Sequence, residues 1–415
     1  MRIAVVGSGI SGLVCAYLLS RRHEVQVFEA QDTLGGHTHT VAVEHAGQEY
    51  AIDTGFIVYN ETNYPNFTRL LNELAVPTQA TEMSFSVRSE RHNLEYNGAS
   101  LTTLFAQRRN LVRVGFWRML RDILRFYRSA RSLLSTADET LTLIDYLQGQ
   151  GYSREFIDWH ILPMGAAIWS TDLVGTGQFP LVTFLRFFER HGFLRVSGRP
   201  QWRTIVGGSS TYVRALMPRI GRIHTRRPVA RIRRQAEGVD LVTVAGDHSH
   251  FDAVVLATHS DQALPLLADA TPAEREILGS MSYQQNEVVL HTDTRLLPRS
   301  RRAWASWNYH LTESNRGLPT VTYNMNLLQR LTAPVTFCVT LNRSDAIDPE
   351  KVIRTLQVHH PRFDRTAVAA RKRHAEINGR ANTYYCGAYW GDGFHEDGVN
   401  SALAVCRHFG EELSP

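Results

Sequence analysis

Short, nearly continuous apolar runs recur at widely separated places along the chain, and each reads as a buried strand. Ile3-Ala4-Val5-Val6 and Val25-Gln26-Val27-Phe28 flank a helical apolar stretch from Ile10 to Leu19, while Ala253-Val254-Val255-Leu256-Ala257 lies mid-chain. Strands covered by helices on both faces of a parallel sheet show such near-continuous apolar runs. A further short strand is expected over Tyr384–Tyr389, ahead of a helical run over Ala402–Leu413. Elsewhere the pattern alternates. Glu287–Thr292, Thr320–Met325 and Thr336–Thr340 carry the period of two expected of strands in one half-buried sheet. From Leu101 onwards the spacing becomes mainly helical, most clearly over residues 107–134.

Between the first strand and the first helix runs Gly7-Ser8-Gly9-Ile10-Ser11-Gly12, the G-x-G-x-x-G spacing. Gly7 permits the tight turn, Gly9 lets the backbone approach a pyrophosphate, and Gly12 lets the helix pack closely on the strand. The first helical turn, with Ile10 and Ser11, then points backbone N–H groups and a positive dipole end at the phosphates. Glu29 closes the second strand, followed by Ala30, where a carboxylate accepts hydrogen bonds from ribose hydroxyls. The glycines alone would say little. Strand, turn, helix, strand and acid in this order predict a dinucleotide site. A signal peptide behind Arg2 is rejected, because glycines interrupt the run and no small-x-small cleavage site follows. No uninterrupted apolar run reaches the roughly 18 residues of a spanning helix, so no membrane span is expected.

A second glycine pair follows the ribose acid, in Gln31-Asp32-Thr33-Leu34-Gly35-Gly36-His37-Thr38, and then a strand ending in Asp53-Thr54-Gly55-Phe56. This arrangement resembles the flavin-containing amine oxidase and phytoene desaturase superfamily. The resemblance implies FAD, with Gly35, Gly36, His37 and Thr38 beside its pyrophosphate and Asp53, Gly55 and Phe56 near the flavin ring. His37 stands where that superfamily usually has arginine, and an imidazole is only partly charged near neutrality. Near the end, Tyr384–Tyr389 and the glycine-rich Gly391–Ser401 resemble the superfamily's closing element, which implicates Gly387, Gly398 and Val399. There the final helix aims its N-terminus at the flavin carbonyl, a dipole suited to negative charge on reduced flavin. The acid that usually follows the glycine and binds the ribityl chain is replaced by Tyr389, and Asp392 is its candidate substitute. Mid-chain, Gly207-Gly208 feeds a helix, and the strand beginning at Arg227 is placed by the resemblance against the adenine near Val229. No histidine or cysteine matches a covalent attachment motif, so the FAD is expected to be non-covalent.

Pattern and resemblance together give an α/β fold of amine oxidase-like build. A Rossmann-like FAD-binding domain is expected from three discontinuous segments, 1–60, 204–284 and 380–415. A substrate domain of mixed sheet and helices is expected from 61–203 and 285–379, with a helical insertion over about 101–200. At 415 residues the chain has room for two to three domains.

The charge pattern bears on partners. Residues 107–134 hold eight arginines against one acid, Asp122, with Leu111, Val114, Phe116, Trp117, Leu120 and Phe126 among the apolar positions. A basic amphipathic helix with aromatic residues suits peripheral contact with an anionic membrane; a core-packed helix with solvated arginines is the plainer alternative. Nucleic acid is not expected as a partner, since the formal net charge is only +5 and no recognition motif accompanies it. The four cysteines lie far apart in sequence with no C-x-x-C pair, which argues against zinc or a disulfide framework and suits a reducing cytoplasm. No metal site is expected, and the oligomeric state is open.

The full chain also resembles a bacterial branch of the superfamily associated with cyclopropane-type and furan fatty-acid modification. The segments that carry this likeness are Gly35–Thr38, Ala167–Ser170 and Arg199–Ser209. The resemblance implies an FAD-dependent oxidoreductase that oxidises or desaturates a fatty-acyl chain, an apolar lipid substrate bound by shape. Pro163–Ser170 and Phe184–Leu194 are candidate lining. Phe394 is the aromatic expected before the flavin, and His395 and Tyr389 are the nearby groups able to move a proton. Three alternatives stand beside this: an amine or amino-acid oxidase, with Arg186 or Arg203 for a carboxylate; a fatty-acid double-bond isomerase; and a lipid-binding scaffold with structural FAD.

Overall fold

The computed structural model describes residues 1–136, 140–195, 197–312 and 318–414. Residues 137–139, 196, 313–317 and 415, which fall within the segments expected to build the two domains, lie outside the described residues. The continuous apolar runs form a five-stranded parallel sheet in the order Arg222–His224, Glu24–Phe28, Arg2–Val6, Ala253–Leu256, Thr383–Tyr385. Its central strands are almost wholly buried, as a sheet covered on both faces requires. The helices Ile10–Leu19 and His395–Cys406 pack against each other on one face of this sheet. The antiparallel strands Val229–Gln235, Gly238–Thr243 and His248–Phe251 pack on the other.

A seven-stranded mixed sheet forms a second layer. Its order is Val352–Pro361, Tyr283–His291, Cys338–Leu341, Val321–Asn324, Trp307–Leu311, Phe85–Ser89, Leu94–Asn97. The three alternating strands expected from the sequence therefore share one sheet. Val352–Pro361 joins them without having been anticipated, although Leu356, Val358 and His360 alternate with exposed neighbours. Helices from Val114–Thr136 to Leu181–Arg190 form an aromatic-rich layer around Phe126, Phe156, Phe184 and Phe188.

Two local expectations are corrected. The final helix begins at His395 rather than Ala402, because the Asp397 carboxylate accepts the Phe394 backbone N–H at 2.9 Å and caps the first turn. It ends at Cys406, and Gly410 turns the chain at φ 73°. The basic stretch is two pieces, a 3₁₀ turn Arg108–Val112 and the helix Val114–Thr136. Three of the four sequence-distant cysteines converge: Cys15 and Cys386 lie with their sulfurs 3.8 Å apart, with Cys406 in the same core, and all four are free thiols. Among the described residues no helix is long and apolar enough to cross a membrane.

Candidate cofactor and substrate cavity

A cavity of about 580 Å³ opens between the C-terminal ends of the parallel strands and the seven-stranded sheet, where ligands of open α/β sheets bind. At one end its wall is the glycine turn. Gly7 adopts φ 100° beside Ala257, a conformation that suits glycine, and a side chain on Gly12 would collide with the Gly7 carbonyl. Gly9 differs from both. A side chain added there meets nothing within 4 Å, which is the open space a pyrophosphate needs above the helix N-terminus. The second glycine pair is fastened to the first, with the Gly35 N–H donating to the Ser8 carbonyl at 3.0 Å and Gly36 packed over Gly9. The Glu29 carboxylate stands at the same end, accepting the Ser8 and Gln31 N–H groups at 2.9 Å each. Ile10, Ser11, Ala30, His37 and Val229 complete this wall.

Gly55, Phe56, Gly387, Tyr389, Asp392, Phe394 and His395 line the cavity further along. His395 begins the final helix, its ring stacked on Phe56 with centroids 3.5 Å apart. Its Nε2 lies 3.0 Å from Thr38 Oγ1 and 3.2 Å from the Tyr212 hydroxyl. Burial, helped by repulsion from His37, holds this imidazole well below the ordinary histidine range, so it is neutral. Burial likewise keeps the Tyr389 phenol protonated. Asp392 is ion-paired with Arg371 at 2.9 Å, and its carbonyl accepts the Trp169 indole N–H at 3.3 Å.

Five of the residues singled out from the sequence stand behind the wall rather than on it. Gly12 serves close helix packing, and Gly398 does the same, its missing side chain making room for Ile10 and Ser11. Val399 is buried in the core between the two helices. Thr38 supports His395 through its hydroxyl. Asp53 is buried and accepts hydrogen bonds from Thr40 Oγ1, the Ser209 N–H and hydroxyl, and Gln329 Nε2. Burial raises its carboxyl to about 6 despite those donors. Asp53 thus ties the Asp-x-Gly segment to the Gly207-Gly208 turn. Of the candidate apolar lining, Ile168, Trp169, Ser170, Phe187, His191 and Phe193 face the cavity, whereas Phe184 packs into the core. Arg186 is exposed and Arg203 pairs with Glu61 at 3.4 Å; neither lines the cavity.

Several lining residues escaped the sequence reading. Trp202, Trp307, Tyr323, Val288, Val339, Leu341 and Val358 extend the apolar lobe, and His259, His359 and His360 add imidazoles to the wall. Two of these were within reach. His259 lies two residues after the Ala253–Ala257 run, and His360 continues the alternation of Leu356 and Val358.

A parallel sheet with a glycine-turn nucleotide site, roofed by a mixed sheet over an apolar lobe, is the build of a flavoprotein oxidoreductase. The chain belongs to the flavin containing amine oxidoreductase family, whose model matches residues 10–408; flavin is that family's cofactor. No curated protein matches the sequence. Among solved structures, a CLA-producing fatty acid isomerase from P. acnes is similar at 17% identity and TM-score 0.70, over 98% of each chain. Cyclohexylamine oxidase from Brevibacterium oxydans IH-35A is similar at 15% identity and TM-score 0.70, over 99% of each chain. Putrescine oxidase bound to putrescine gives 14% identity and TM-score 0.69, again over 99% of each. At such identities the likeness is one of fold, and it makes the α/β, amine oxidase-like architecture plain.

Proposed function

We propose that this protein holds FAD non-covalently and oxidises or desaturates a fatty-acyl chain, methyl-branched or phospholipid-linked, taken from a membrane it touches on the cytoplasmic side. Bound flavin supplies an acceptor for a hydride equivalent. Gly7 to Ser11 and Gly35 to His37 would face its phosphates, Glu29 its ribose, Val229 its adenine, and Phe56, Gly387 and the start of the final helix its ring. Phe394, stacked on Phe187 with centroids 4.8 Å apart, would fix the chain's position before the ring. His395 and Tyr389 would hold or pass a proton.

One observation carries the substrate class: Glu29 stands at the nucleotide end, and along the apolar lobe no permanent charge among the described residues is left without an ion pair. Among the described lining residues there is no lysine or arginine, and the acids are Glu29, held by Ser8 and Gln31, and Asp392, held by Arg371. An ammonium entering this lobe would give up hydration without gaining a free carboxylate. An alkyl chain instead gains about 0.8 kcal/mol per buried methylene. The test is anaerobic mixing of the yellow protein with candidate substrates while following the flavin's visible absorption. Bleaching by a methyl-branched or unsaturated acyl lipid, with a product two hydrogens lighter, is the expected result. Fast bleaching by simple amines with lipids inert would move the assignment to an amine oxidase, and a redox-neutral shift of a double bond would move it to an isomerase.

A further inference from the structure

Three imidazoles from three separate elements meet on the cavity wall. His37 follows the second glycine pair, His259 follows the strand Ala253–Leu256, and His360 closes the strand Val352–Pro361. The His37 ring lies 5.7 Å from that of His259 and 5.5 Å from that of His360, centroid to centroid. The outer two are fixed in place. His259 stacks on Tyr283 at 4.4 Å and 9°. His360 Nδ1 accepts from the Asn286 amide at 2.9 Å, which leaves its neutral proton on Nε2. His37 hydrogen-bonds the backbone of His359, yet its Nε2 is buried without a partner in the protein. Such an orphan is costly unless a ligand atom satisfies it. The cluster has no place for a shared ion: among the described residues no histidine, cysteine and carboxylate group is set to hold a metal.

We propose that His37, His259 and His360 form a proton-linked clamp on the pyrophosphate of the bound dinucleotide, an inference that rests on the FAD reading above. The location follows from Gly36, which packs over Gly9, the residue that leaves the pyrophosphate its space. The chemistry follows from charge. Without the ligand each imidazole is kept neutral, His259 and His360 down to about 3, by burial first and by mutual repulsion second. His37 is lowered for the same first reason. The neighbouring titratable groups are His359, Asp261, Tyr283 and His395. Asp261 is shifted towards its neutral form and Tyr283 is held protonated, both by burial, while His395 is tied to Thr38 and Tyr212. Among the described residues no permanent cation lines the cavity at this end to do the same work. A pyrophosphate brings two negative charges against the cluster and favours its protonated form. Binding therefore takes up protons, and affinity falls as pH rises from the ligand-free values through the ligand-bound ones.

The full-length holoprotein, dialysed to equilibrium between pH 6 and 8.5 with free flavin read by fluorescence, tests this. The flavin dissociation constant should rise about tenfold per pH unit for each proton taken up. His37→Gln should weaken retention at pH 6 and flatten the slope. His37→Arg, always charged, should retain flavin at every pH. A His360→Asn variant that stays folded by circular dichroism should also lose part of the slope. Retention independent of pH in the natural protein, or an unchanged slope in His37→Gln, overturns the clamp while leaving FAD binding intact. A pH slope for binding of a fatty-acid carboxylate to the holoprotein, without one for flavin, overturns it in favour of the substrate. Protein that is colourless and cannot take up FAD fails the underlying flavin reading instead.

Discussion

Two glycines of the same turn should fail in different ways when given a side chain. Gly9 has nothing within 4 Å of an added Cβ, so Gly9→Val should fold and melt like the natural protein yet bind no flavin. Gly12 has no such room, because its Cβ would meet the Gly7 carbonyl and Ala257. Gly12→Val should therefore lose roughly 1–3 kcal/mol of stability by overpacking. Visible absorbance and thermal unfolding on the same preparations separate the outcomes; a yellow Gly9→Val protein would remove the pyrophosphate from this turn. The turn and Glu29 were legible because their geometry is local. Asp53 was legible only as a polar residue near the ring, and its burial against Ser209 and Gln329 depends on partners more than 150 residues away. The histidine wall was legible only as separate residues, for the same reason: which imidazoles meet depends on how three distant elements pack.

At the scale of elements, the helix Val114–Thr136 and the 3₁₀ turn Arg108–Val112 before it divide their apolar residues between two environments. Phe116, Met119, Phe126 and Ala130 are fully buried, as a core-packed helix demands. Yet Val112 is 83% exposed, Val114 68% and Trp117 50%, with Leu111 and Leu124 also exposed beside Arg108, Arg118, Arg121 and Arg125. This outward stripe is the part that suits an anionic bilayer. Co-sedimentation with vesicles containing phosphatidylglycerol is expected to exceed that with phosphatidylcholine alone and to weaken at high salt. At about 1 kcal/mol per basic residue, the double change Arg108→Glu and Arg121→Glu should cut binding roughly tenfold or more. Equal binding to neutral and anionic vesicles would return the stripe to ordinary solvated surface. Periodicity alone showed that the stretch was helical and basic, but not which apolar residues faced out. Likewise the start of the final helix was misplaced because its cap, Asp397 on the Phe394 N–H, hides inside a glycine-rich segment that resembles a loop.

At the scale of the whole molecule, the cavity wall is drawn from both ends of the chain and from several places between. The nucleotide turn, the Gly35–His37 loop, Thr54–Val58, the helices around Trp169 and Phe187, the roof strands and the final helix all contribute to it. The parallel strands were legible singly from their apolar runs, and the roof strands from alternation, but no local pattern says that the two sheets face each other. Flavin bound in this cavity would bridge the two layers. Flavin bound to the folded chain and not to the unfolded one should stabilise it by about 2.7 kcal/mol at a hundredfold excess over the dissociation constant. The gain should reach both layers if the roof closes on the ligand, because neither layer encloses the cavity alone. Hydrogen exchange with and without FAD is the measurement. Protection is expected to rise in Arg2–Val6 and the final helix, and also in Tyr283–His291 and Cys338–Leu341, with no such response in Gly9→Val. Protection confined to the nucleotide-binding layer would mean that the roof is set by its own packing and that flavin contributes nothing to holding the two layers together.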